Sequence, residues 1–194
     1  MNRGGTIIER ELRATVDRAR RGEPDAWEQL YIGSYAHLLA YARRRIPQGE
    51  EADDAVSETF VRAYSGIERF KWRKQGGFEA WLHGILRNVV LETVRARGRK
   101  TPLSARDGHS PGEEEPSLWP GPLERVLADE EEETVRLAFA RLSSGDQELL
   151  ELRVVSRLNA NEVASVLGKR PGAVRMAQSR ALGRLRSLME RQGR

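Results

Sequence analysis

One segment dictates how this chain can be organised. Between Gly98 and Ala128 stand Pro102, Gly108, Pro111, Gly112, Pro116, Pro120, Gly121 and Pro122. Proline fixes its own φ, lacks a backbone N–H and restricts the residue before it, so this density ends helices and strands alike. The chain reads as two blocks joined by a flexible, acidic, proline-rich linker. The expected boundaries are 1–98, 99–128 and 129–194.

Both blocks carry helical periodicity. Trp27, Leu30, Tyr31, Tyr35, Leu38, Leu39 and Ala42 recur at three- and four-residue spacing, which aligns one apolar stripe. Pro47-Gln48-Gly49 interrupts it. Asp53 and Asp54 then precede Val56, Phe60, Val61 and Tyr64, placing acids towards the favourable end of a second helix. A turn region from Lys71 to Gly77 leads into Phe78, Trp81, Leu82, Ile85, Leu86, Val89, Val90 and Val94. No stretch alternates with period two for long, so the predicted class is all-α. The first twenty residues are charged and helical by composition, with no function legible in them.

The second block has local punctuation. Ser144 and Gln147 have capping-box spacing, predicting a helix that carries Leu149, Leu150, Leu152 and Val155. Asn159 or Asn161 can cap a short helix through Val163, Ala164, Val166 and Leu167, which Gly168 ends. Pro171 suits the first turn of the next helix, whose apolar face is Val174, Ala177, Ala181, Leu182, Leu185 and Leu188. Two helices joined in this way form a helix-turn-helix, which sets the start of its second helix in the DNA major groove. Lys169, Arg170, Arg175, Arg180, Arg184 and Arg186 surround that helix. Arginine bonds guanine bidentately or holds phosphate. The plainer reading is a solvated basic face on a helical bundle.

A second cationic region is the end of the third helix, with Arg87, Arg95, Arg97, Arg99 and Lys100 near Trp72, Phe78 and Trp81. Aromatic rings beside cations suit unpaired bases, which stack while arginines follow the phosphates. By spacing alone Trp81 reads as core. Trp72, between Lys71 and Arg73, is harder to bury.

Composition narrows the function. The chain has 194 residues, a net charge of +4 and no cysteine, with a pI near 9.7. Disulfides, thiolate zinc sites and cysteine nucleophiles are excluded, in keeping with a cytoplasmic protein. No apolar run reaches the roughly 18 residues of a membrane span, and the charged start reads as no signal peptide. There is no Walker loop, GxSxG or HExxH, and the three histidines, His37, His83 and His109, lie far apart in sequence. No enzyme, cofactor or metal is expected. Asp54 and Glu58 share a helix face at i,i+4, but a lone carboxylate pair is a weak metal signal.

The stretch Ala52-Asp53-Asp54-Ala55-Val56-Ser57-Glu58-Thr59-Phe60-Val61-Arg62-Ala63-Tyr64 resembles the polymerase-binding segment of extracytoplasmic-function (ECF) sigma factors of the sigma-70 superfamily. Phe78-Glu79-Ala80-Trp81-Leu82-His83-Gly84-Ile85-Leu86-Arg87-Asn88 is similar to the helix that follows it in that family, and 142–188 to the family's carboxy-terminal helix-turn-helix. The resemblance implies a bacterial sigma factor that brings core RNA polymerase to specific promoters. It places Asp53, Asp54, Ser57, Glu58 and Phe60 on the clamp helices of the polymerase's largest subunit. It places Phe70, Lys71, Trp72, Arg73, Trp81, Arg87, Asn88 and Arg95 on the melted minus-ten strand. Lys169, Arg170, Arg175, Met176, Ser179, Arg180 and Arg184 fall on the minus-thirty-five duplex. Further implied partners are the flap of the second-largest subunit and an anti-sigma factor.

The chain departs from the family pattern. Ala55 and Ser57 stand where Leu and Gln are frequent, and Arg170, Pro171 and Ala173 where Ser or Thr is usual. Ala177 occupies a position that is often basic, so the promoter sequence does not carry over. The linker, with Glu113, Glu114, Glu115 and then Glu130 to Glu133, is longer and more acidic than the family's. In relatives such linkers thread the polymerase's nucleic-acid channels. The competing reading is an autonomous helix-turn-helix regulator that binds duplex operators without polymerase.

Overall fold

A computed structural model of the protein describes residues 3–72, 77–100 and 130–192. Those residues form eight α-helices and one 3₁₀ turn, with no strand among them. The helices are α1 (Arg3–Arg20), α2 (Pro24–Arg43), α3 (Gly49–Gly66), α4 (Phe78–Lys100), α5 (Glu130–Ala140), α6 (Ser144–Val154), α7 (Ala160–Leu167) and α8 (Pro171–Gln192), and the 3₁₀ turn is Ile67–Arg69. Arg73, His109 and the linker acids Glu113, Glu114 and Glu115 lie outside the described residues.

Proline and glycine set the breaks. Gly22 takes a left-handed φ of 79° between α1 and α2, and Pro24 opens α2. Helix α3 begins at Gly49 with Glu50 and Glu51 in its first turn, so Asp53 and Asp54 stand one turn further in than the sequence suggests. Helix α4 passes through Gly98 to Lys100.

Helices α1 to α4 pack around Val16, Leu38, Tyr41, Ile46, Val56, Phe78, Leu82 and Leu86, all buried. Each such side chain contributes roughly 1.5–3 kcal/mol by leaving water. Ala19, Ala26, Ala42, Ala52, Ala55 and Ala63 are also buried, and their small side chains let the helices approach closely.

In the carboxy-terminal half α8 packs on α5, α6 and α7. Asn159 caps α7 in a complete capping box with Glu162. Gly168 ends α7 at φ 62°, turning the chain into α8. Asn159→Ala is expected to cost about 1 kcal/mol, read from the urea midpoint. The cap of α6 differs from expectation. Ser143, not Ser144, accepts from the Asp146 amide, at 3.3 Å. Gln147 is buried instead and donates to the carbonyls of Phe139, Ala140 and Leu142. It therefore closes the end of α5 rather than the start of α6. Leu182 is 46% exposed, because Val174 and Ala181 take the buried face of α8.

The two halves share one apolar core, in which Leu142, Leu149 and Val163 cluster with Leu38, Leu82 and Leu86, and polar contacts line the seam between them. Glu148 accepts from the Tyr41 hydroxyl at 2.8 Å and from Arg87 Nε at 2.9 Å. Glu151, 2% exposed, receives Arg44 at 3.2 Å and Arg45 at 2.6 Å. Arg44 also lies over the Phe139 ring, and α4 packs on α7.

Candidate polymerase and nucleic-acid surfaces

The acidic face of α3 is exposed at Asp54, Ser57 and Glu58. Glu58 is paired along its own helix with Arg62 at 2.7 Å, which also bridges to Glu92. Asp53 is turned away: it accepts from the Tyr35 hydroxyl and meets Arg43 at 3.3 Å. The Tyr35 bond, with Arg43, holds its carboxyl below the ordinary range and raises the Tyr35 phenol. Phe60 is half-buried, 4.7 Å from the Tyr31 ring centroid. It lines an open groove with Pro24, Trp27, Tyr31, Val61 and Tyr64. Val61 is 60% exposed and Tyr64 61%. An apolar strip therefore lies beside exposed carboxylates on one face of α3.

The segment after the 3₁₀ turn forms an aromatic cluster. Phe70 is buried, with ring centroids 5.1 Å from Trp72, 5.8 Å from Phe78 and 5.1 Å from Trp81. It is the floor of the cluster, while Trp72 and Trp81 are half-buried above it. The otherwise unassigned α1 holds this arrangement. Arg20 donates to the Phe70 and Ile67 carbonyls and lies over the Phe70 ring. Arg13 sits over the Trp72 ring at 4.7 Å, an attractive cation–π contact. Lys71, Asn88 and Arg95 are exposed. Arg87 is engaged by Glu148 in the seam.

On α8 the buried Val174 and Ala181 fix the helix's rotation. Arg175, Met176, Ser179 and Arg180 are exposed, as are Lys169 and Arg170 in the turn. Arg184 is held by Asp146 through two bonds, at 2.8 and 2.7 Å. Arg153 from α6 bonds Gln178 at 2.9 Å, bracing the same helix.

Residues 30–100 match the family model described as Sigma-70 region 2. The ECF RNA polymerase sigma factor ShbA of Streptomyces griseus is 34% identical over 182 residues, covering 91% of this chain and 94% of that one. This chain belongs to the ECF RNA polymerase sigma factors. SigD of Mycobacterium tuberculosis, from the same family, is 30% identical over 188 residues, covering 93% and 85%. The fold agrees with the solved complex of the sigma factor RpoE with the anti-sigma factor NepR from Bartonella quintana. Its TM-score is 0.59 at 24% identity, over 84% of this chain and 96% of that one.

Membership defines the activity: the sigma factor directs core polymerase to promoters for transcription initiation. The autonomous regulator, read from the helix-turn-helix alone, gives way to this. No helix among the described residues is long and apolar enough to cross a membrane. Several residues of the sigma factor's candidate surfaces escaped sequence reasoning. Trp27, Tyr31, Val61 and Tyr64 carry the same three- and four-residue spacing as core positions. Their only signal is that the apolar arcs of α2 and α3 are wider than one packing face needs. Arg13 and Arg20 gave no signal, since charged residues on an amphipathic helix read as solvated.

Proposed function

We propose that the sigma factor divides its work between its halves, 1–98 and 129–194, acting as two domains joined by 99–128. Asp54, Ser57 and Glu58, with Phe60 and the groove beside it, dock on the clamp helices of the polymerase's largest subunit; Asp53 orients that face through Tyr35. Trp72, Trp81, Lys71, Arg73, Asn88 and Arg95 capture the unstacked minus-ten strand, over the floor made by Phe70. Arg87 joins them once it leaves Glu148. Lys169, Arg170, Arg175, Met176, Ser179 and Arg180 engage the minus-thirty-five duplex, and the flap of the second-largest subunit supports this half. Arg184 keeps α8 in place through Asp146. The sigma factor works in the cytoplasm, performs no catalytic step and takes part with an anti-sigma factor, as RpoE does with NepR.

The observation that supports this reading best is that one chain exposes an acidic apolar face on α3 and a basic face on α8. Each contact can be weak alone, because the linker makes the second contact intramolecular. The test is run-off transcription with purified core polymerase on genomic fragments. Promoter-specific transcripts that require the protein are expected. Tight, specific duplex binding without polymerase and no transcripts would contradict the proposal. On a mapped promoter, Arg175→Ala should weaken open-complex formation by about 1–3 kcal/mol, and relax preference at one base pair, if it pairs a base edge. A uniform loss across promoters would make it a phosphate contact.

A further inference from the structure

The histidines that the sequence separates come together in the fold. Helix α2 supplies His37; α4 supplies Glu79 and, one turn later, His83. The His37 and His83 rings are nearly parallel, with centroids 5.4 Å apart. His37 Nε2 lies 3.0 Å from Glu79 Oε2. One ligand atom from each of the three residues falls within 4.8 Å of the others.

We propose that His37, Glu79 and His83 bind one divalent transition-metal cation of the zinc class. The ligand atoms are Nε2 of each histidine and Oε2 of the glutamate.

The decisive atom is His83 Nε2. His83 is 1% exposed. Its Nδ1 stands 2.9 Å from the Glu79 backbone carbonyl, which can only accept, so Nδ1 carries the hydrogen. In a neutral ring that leaves the lone pair on Nε2. This atom is buried and has no hydrogen-bond partner. A core histidine that only fills space normally has both nitrogens satisfied, because an orphan buried acceptor is costly. An Nδ1–H held by a carbonyl, with Nε2 left free, is how protein scaffolds orient metal-binding imidazoles.

The other two ligands are similarly prepared. Ser34 donates to Glu79 Oε1 at 3.0 Å, which fixes the carboxylate and leaves Oε2 towards the histidines. His37 and Glu79 are each about a quarter exposed, so an ion can enter from solvent. Two imidazoles and one carboxylate suit zinc, and a tetrahedral ion would keep a fourth position for water. Donors around such an ion stand roughly 3.3 Å apart, so the three atoms, now within 4.8 Å of one another, close in by side-chain rotation. The ion would tie α2 to α4 beside Tyr41, whose ring meets His83 edge-on and whose hydroxyl reaches Glu148 in the seam.

The experiment uses the full-length protein stripped with a chelator, titrated with Co²⁺ and then Zn²⁺. One equivalent is expected, with tetrahedral Co²⁺ absorption bands displaced by Zn²⁺. The melting temperature should rise by roughly 5–10 °C at zinc 100-fold above the dissociation constant. His37→Ala and Glu79→Gln, both partly exposed and compatible with folding, should abolish the bands. Ser34→Ala should weaken binding about 10–100-fold. His109→Ala should change nothing. No saturable binding up to millimolar metal would overturn the proposal. So would binding that survives both His37→Ala and Glu79→Gln in variants with native circular dichroism.

Discussion

Glu151→Ala should destabilise the sigma factor by about 3 kcal/mol, among the largest effects of any single polar substitution in it. The carboxylate is 2% exposed and bridges Arg44 and Arg45 from the other half. Removing one member of a buried ion cluster costs roughly 3–5 kcal/mol, because the remaining charges lose their counter-ion while still desolvated. The lower end applies here. The Arg44 and Arg45 side chains keep 12% and 22% of their exposure, and Arg45 also stacks on the Tyr41 ring at 3.8 Å. Glu151→Gln should cost less, since an amide oxygen still accepts from one guanidinium. The measurement is the urea midpoint at constant m, with the Glu151→Ala, Arg45→Met double variant closing a cycle. A loss under 1 kcal/mol would mean that both guanidinium groups reach water once Glu151 is gone, and that the seam is not held there.

What the sequence made legible follows physical range. The left-handed stop at Gly168 and the proline start of α8 depend on chemistry within four residues and are read directly, while the α7 cap is legible only as Asn159 or Asn161, between which the structure selects Asn159. The α6 cap was misplaced by one residue because Ser143 and Ser144 both offer a hydroxyl, and only tertiary packing decides that Gln147 turns inwards. Glu151 is the opposite case. A glutamate on an amphipathic helix reads as solvated, and nothing local shows that two arginines from α2's end will cover it. The His37–Glu79–His83 cluster needs the packing of α2 on α4 before it exists at all. In the candidate surfaces, exposed cations of α8 were legible because burial of Val174 and Ala181 is periodic. Phe70 was not, since an aromatic in a loop gives no period from which to judge its burial.

The seam also predicts how the free protein treats single-stranded DNA, on the proposal that Arg87 belongs to the minus-ten surface. Here Arg87 Nε is bonded to Glu148 at 2.9 Å, and Glu162 of α7 lies close to Gly77, at the end of the candidate base-capturing loop. Burial and the nearby Glu79 and Glu9 raise the Glu162 carboxyl, so this contact loosens as pH rises and the group ionises. A protein mostly closed binds with its intrinsic affinity reduced by the open fraction. Glu148→Ala removes a charge-assisted bond to Arg87 and the Tyr41 hydrogen bond together. The side chains are 32% and 18% exposed, so solvent screening holds the effect to about 1–2 kcal/mol. Free Glu148→Ala protein should therefore bind a minus-ten oligonucleotide roughly 5–30-fold more tightly. Removing a negative charge would by itself favour DNA in every setting. The assembled holoenzyme separates the two causes, on the further proposal that docking on polymerase parts the halves. Its promoter affinity should be unchanged by Glu148→Ala and reduced by Arg87→Ala. Equal gains in the free protein and the holoenzyme would reduce Glu148 to a general electrostatic effect; no gain in either would mean that Arg87 is a seam residue and nothing more.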